Sequence, residues 1–165
     1  MRELYFINVT IHVLAAMLWL GGMFFLGVVG APVLRGIEPP PLRQRLFQGL
    51  GLRFRQVGWW AIAVLIVTGI FNLYFRGWLH WHGVLASPAF WRTPVGLALA
   101  GKLTAVTLMV TSSAIHDFVY GPRAGRTPPG SPAAIALRKR AALLARANAI
   151  LGVILVIAAV RLSRP

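Results

Sequence analysis

Between Leu4 and Gly30 the chain carries no side chain that titrates near neutral pH except His12. At ~1.5 Å per residue, a helix of that length reaches about 40 Å, more than the roughly 30 Å of a bilayer's hydrocarbon core. The run is longer than the apolar region of a secretory signal, its start carries Arg2 and Glu3, and further spans follow, so it is expected to stay as a membrane helix. His12 is then an ionisable group inside a membrane, where such residues turn toward a bundle interior and mark functional sites. Tyr5 stands seven residues before it, Asn8 four before and Trp19 seven after, with Gly21, Gly22 and Met23 beyond. Those offsets lie on one helix face.

The rest of the composition agrees with a membrane protein: 58% of residues are hydrophobic and 12% charged, against roughly 25% charged in soluble domains. The absence of cysteine excludes disulfides, thiolate metal sites, Fe–S clusters and thiol redox chemistry. Any metal must be held by His, Met, Lys or oxygen. The net charge of +14 would suggest nucleic acid in a soluble protein. Here its distribution sets topology, and no nucleic-acid partner is expected.

Four apolar spans follow one another: Leu4 to Gly30, Val57 to Phe75, Val95 to Val119 and Ala141 to Val160. The first connection, Ala31 to Gln56, holds Pro32, Pro39, Pro40 and Pro41 with five arginines, and reads as a basic loop with a short interfacial helix near Leu42 to Leu50. Trp78, His80, Trp81, His82, Phe90 and Trp91 crowd the second, Arg76 to Pro94, as in an interfacial aromatic belt. The third, Gly121 to Arg140, is rich in proline and ends Arg138-Lys139-Arg140, which reads as a flexible basic loop. Arg35, Arg43, Arg45, Arg53, Arg55, Arg123, Arg126, Arg138, Lys139 and Arg140 thus fall on one side, against Arg2, Arg76, Arg92, Arg161 and Arg164 on the other. The positive-inside rule makes the two basic loops cytoplasmic and puts both termini outside. The basic face would also attract anionic lipid headgroups. The expectation is an all-α integral membrane protein, one antiparallel four-helix transmembrane bundle over residues 1–165, in a bacterial-type inner membrane. No convincing internal repeat is visible beyond a loose likeness between the two helix pairs.

Orientation and helix rise gather the polar residues into two clusters. Asn8, His12, Thr68, Asn72 and Lys102 fall at the outer level, capped by His80 and His82. Ser112, Ser113, His116, Asp117, Arg146 and Asn148 fall toward the inner end. Lys102, Met109 and His116 recur every seven residues along one seam. His12 reads either as a packing histidine, hydrogen-bonded to a neighbouring helix, or as a ligand of haem or metal. A buried Lys102 must be deprotonated, wetted, or paired with an anion such as a haem propionate. Asp117 reads as the ion-pair partner of Arg146 or Arg53. His80 and His82 read as a copper pair or as part of the interfacial belt, and Met17, Met23 and Met109 as gap fillers.

The run from His12 through Trp19 to Gly21-Gly22, the Arg-rich stretch after it, Arg53-Phe54-Arg55 leading to Thr68-Gly69 and Asn72, and Gly101-Lys102-Leu103 opening the third span resemble the CopD-type copper resistance membrane domains. They also resemble the HemJ-type protoporphyrinogen oxidases, which share a His with a Trp seven residues later and a Lys opening a later span. The latter resemblance implies haem b, with His12 and Lys102 as the essential residues; the former implies copper traffic. His116-Asp117-Phe118 followed by Gly121-Pro122-Arg123 departs from the HemJ pattern.

The leading expectation is a haem b-binding membrane redox protein, a possible oxidoreductase acting on protoporphyrinogen or passing electrons to a quinone or another haem protein. Its axial ligand would be His12, its catalytic residue Lys102, and its remaining cofactor contacts His116, Trp19 and Asn72. The alternative is a copper import or resistance protein with His12, His116, His80 and His82 as metal ligands. A bundle that only scaffolds partners, and a homo-oligomer, stand as further alternatives.

Overall fold

The computed structural model describes residues 2–79, 83–128 and 131–163. Among these, all regular structure is helical. Four helical stretches are long and apolar enough to cross a membrane: Arg2–Arg35, Pro40–Phe75, Pro94–Ala124 and Pro132–Ala159. Between 11% and 22% of each apolar window is buried, so most of the surface of these helices is suited to lipid rather than to a protein core. The chain divides after Ser87 into two compact helix pairs.

In the first pair, helix α1 (Arg2–Phe25) runs through a π-helical turn (Leu26–Gly30) into the short helix α2 (Ala31–Arg35), and α3 (Pro40–Phe75) returns antiparallel to it. The contacts form a ladder. Tyr5 meets Phe75 with ring centroids 6.0 Å apart, Asn8 meets Asn72, His12 meets Thr68, Trp19 lies on Gly58 and Gly22 faces the ring of Phe54. Positions 8, 12, 15, 19 and 22 advance alternately by four and three, the spacing of helices that wrap in a left-handed sense. Ala15 and Trp19 from α1 and Gly58, Ala61, Ile62 and Thr68 from α3 are buried there. Gly77 stops α3: its φ of 71° lets Trp78 N–H donate to Leu73 O at 3.0 Å and Gly77 N–H to Tyr74 O at 2.9 Å, a left-handed cap that residues with a Cβ adopt at a cost.

The linking stretch carries two 3-10 turns, Val84–Ala86 and Phe90–Arg92. Phe90 and Trp91 stand edge to face, and Arg76 lies over the Trp78 ring, 5.4 Å from its centroid. Such aromatic and cation–π contacts suit a membrane interface.

The second pair repeats the plan of the first. Helix α4 (Pro94–Ala114) passes through a π-helical segment (Ile115–Tyr120) into the short α5 (Gly121–Arg126), and α6 (Pro132–Ser163) returns. Thr93 caps α4, its hydroxyl accepting from Gly96 N–H at 3.1 Å and donating to Phe90 O at 2.7 Å. Ser131 caps α6 by accepting from Ala134 N–H at 3.2 Å. Each cap satisfies a backbone donor that the first helical turn leaves open.

Two expectations need correction. The basic loops from Ala31 to Gln56 and from Gly121 to Arg140 are mostly helix: only 36–39 separates α2 from α3, and α5 reaches Arg126 while α6 starts at Pro132. Arg43, Arg45, Arg53 and Arg55 therefore ride on the N-terminal half of α3. The helix expected near Leu42 to Leu50 is part of α3. The prolines explain the difference: Pro40, Pro41 and Pro132 sit in first helical turns, where no N–H is needed. Pro32 and Pro122 each stand two residues past the end of a π-helical segment, after Ala31 and Gly121. That change of register relieves the clash a proline ring makes with the carbonyl four residues earlier, so the helix continues.

Candidate functional site

The first helix pair gathers Asn8, His12, Thr68 and Asn72 as expected. Thr68 is buried, 6% exposed. Its hydroxyl donates back along α3 to Val64 O at 2.6 Å, and His12 Nδ1 lies 2.7 Å from the same oxygen. A threonine hydroxyl has one proton. With that proton committed to Val64, Oγ1 accepts from the ring, which assigns the hydrogen to Nδ1. In its neutral form the imidazole then carries its lone pair on Nε2, the nitrogen suited to a metal. Asn8 Nδ2 donates to Thr68 O and to Asn72 Oδ1, both at 3.0 Å, tying the backbone behind Thr68 to α1. Asn72 thus serves the site through Asn8. Trp19 lies two turns along, 8% exposed, against Gly58.

The second pair holds Lys102 and His116. Lys102 lies exposed on the early part of α4, and Met109, two turns on, is buried. His116 and Asp117 belong to the π-helical segment, with His116 Nδ1 2.7 Å from Asp117 Oδ1. A carboxylate is an acceptor when ionised, so here too the hydrogen of a neutral ring belongs on Nδ1 and the lone pair on Nε2. Asn148, 3% exposed on α6, donates from Nδ2 to Ser113 Oγ at 2.9 Å. Ser113 and Asn148 fall near the middle of Pro94–Ala124 and Pro132–Ala159. Arg146 is exposed, while the contact shown for the Asp117 carboxylate is to His116.

The alignment of the two pairs on Pro32 and Pro122 lays His12 on Lys102 and buried Trp19 on buried Met109. It also lays buried Gly58 and Ile62 on buried Asn148 and Gly152. The two histidines share no equivalent position, yet each has Nδ1 engaged by an oxygen. His80 and His82 lie outside the described residues. Among the described residues, no group of three or more His, Cys, Asp or Glu is placed to hold a metal ion.

A helical chain with four such spans and its polar side chains drawn into helix seams is an integral membrane protein. Residues 49–162 match the family described as Copper resistance protein D (CopD); this is more than half of the chain, and the chain belongs to that family. The match takes in Thr68, Asn72, Lys102, His116 and Asn148, and His12 lies before it. An uncharacterized protein of Aquifex aeolicus (strain VF5) is 40% identical over 75 residues, which is 45% of this chain and 49% of that protein. The match thus spans about half the length of that relative. No solved structure matches. The family description speaks for copper, the alternative of the two cofactor expectations, and lends no support to haem, oxidoreductase or electron-transfer readings.

Proposed function

We propose that this protein handles copper within the membrane it spans, as cargo, with His12 and His116 as ligands through Nε2. The observation that carries the reading is the pair of Nδ1 contacts, at 2.7 Å to Thr68 and 2.7 Å to Asp117. In metal sites the ligating imidazole is commonly oriented by an acceptor on its other nitrogen. Imidazole and thioether suit copper, and with no cysteine the chain's four His and four Met are its supply of such donors. Met109 stands buried on α4. Lys102 occupies the place that corresponds to His12. In this reading it is a fixed cation, or a neutral amine donor, on the second pair, and its role as a catalytic residue falls away. His80 and His82 in the linking stretch would receive the ion at the membrane surface. CopD membership supports copper over haem.

Cells making the protein should hold several-fold more, or several-fold less, copper than vector controls at equal copper supply, with His12→Ala and His116→Ala each abolishing the difference. Copper content unchanged by the protein contradicts the reading, and so does a purified protein that carries a Soret band.

The proposed orientation has both termini outside, in an inner membrane of bacterial type. A periplasm-active reporter should therefore work when fused to the C-terminus, and a cytoplasm-active one when inserted after Pro128. The opposite result in both overturns the orientation.

A further inference from the structure

The second helix pair holds two buried polar atoms with no hydrogen-bond partner among the described residues: Ser112 Oγ and Asn148 Oδ1. Elsewhere on the spans, hydroxyls answer the lack of water by donating to the carbonyl four residues back, as Thr10 does to Phe6, Thr68 to Val64 and Thr107 to Leu103. Ser112 does not. Asn148 donates from Nδ2 to Ser113 Oγ, and its carbonyl oxygen is left without a donor among the described residues. Both atoms are buried, so bulk solvent does not supply the missing bond.

From this the geometry points to a bound-water site on the second helix pair, held by Ser112 Oγ and Asn148 Oδ1. The occupant must donate to a carbonyl oxygen and be small, since Asn148 is 3% exposed. Water meets both demands and is the usual occupant of polar interior sites. A metal cation fits less well. The neighbouring carboxylate, Asp117, already has Oδ1 engaged by His116, and the chain has three acidic residues in all, the others being Glu3 and Glu38 in the first pair. The surroundings favour hydration: the π-helical segment starts three residues after Ser112, and such segments recur where helices are locally opened at functional sites. The consequence is a wet foothold inside the span, one helical turn from His116. This holds whether or not copper is the cargo.

The sign of a stability change tests it. If the site were empty, Ser112→Ala would remove an unsatisfied hydroxyl and raise the melting temperature. If water is bound, the same change takes away one of its partners, and the melting temperature in lipid nanodiscs should fall by about 2–4 °C. An unchanged or higher value overturns the proposal. X-ray radiolysis gives an independent reading, because hydroxyl radicals form from water at the site. Buried Met109, one turn before Ser112, should be oxidised several-fold faster in the wild type than in Ser112→Ala/Asn148→Leu. Equal labelling overturns the water, and a melting temperature that rises with sodium but not with choline replaces water by a cation.

Discussion

Thr68→Val should weaken Cu(I) binding by roughly 10–100-fold, the usual loss when the acceptor behind a metal-bound imidazole is removed. Valine keeps the volume of threonine but deletes the oxygen that accepts from His12 Nδ1. The ring then loses the contact that selects its tautomer, and the proton is free to move to Nε2, where it blocks the metal. Thr68→Ser keeps the hydroxyl and gives up only the methyl group, and binding should stay within a few-fold of wild type. Nitrogen-15 NMR of His12 in metal-free protein separates the two steps. The wild type should show the Nδ1–H form, and Thr68→Val a mixture. If the tautomer shifts but copper affinity does not, the hydrogen-bond assignment holds and the copper proposal fails. If neither shifts, the contact at 2.7 Å does not control the ring.

Gly96→Ala should be among the most damaging single changes in the chain. A Cβ at this position would run into Phe90 O and lie 2.8 Å from Phe90 C and 2.9 Å from Trp91 Cα, all of them backbone. Those atoms are held in place by the 3-10 turn Phe90–Arg92 and by the Thr93 hydroxyl, which bonds Phe90 O on one side and Gly96 N–H on the other. Relief therefore requires that the cap open and the start of α4 move. Overpacking against side chains costs about 1–3 kcal/mol; against fixed backbone a loss of about 3 kcal/mol or more is expected. That lowers the melting temperature by roughly 6–12 °C for a protein of this size. Gly21→Ala and Gly101→Ala are the controls. Neither Cβ would meet an atom within 4 Å, and each should be neutral or gain up to about 1 kcal/mol from helix propensity. A melting temperature for Gly96→Ala equal to that of the controls would contradict the tight start of α4.

The four spans were legible because hydrophobic length is a strong signal in a membrane. Asn8, His12, Thr68 and Asn72 were legible as one cluster, since spacing of three and four residues fixes a helix face and antiparallel return brings both faces to the same level. Helix ends were not legible. Proline reads as a breaker, but it is harmless in the first turn and tolerated after a π-helical segment, so Pro32 and Pro122 mark continuations. The missed helix ends put Arg43, Arg45, Arg53 and Arg55 on a loop rather than on α3. They also hid the common plan of the two pairs, because the corresponding positions hold unlike residues, His12 with Lys102 and Trp19 with Met109. The unsatisfied Ser112 and Asn148 oxygens left no trace in the sequence, since satisfaction depends on which rotamer each neighbour takes.

The most direct test of the copper account is an anaerobic titration of the purified protein in nanodiscs with Cu(I), buffered by a competing chelator and read by X-ray absorption at the copper edge. The account predicts bound copper with imidazole nitrogen in its coordination, and loss of that component together with at least a tenfold fall in affinity in His12→Ala. Equal affinity and an unchanged spectrum in His12→Ala would contradict it.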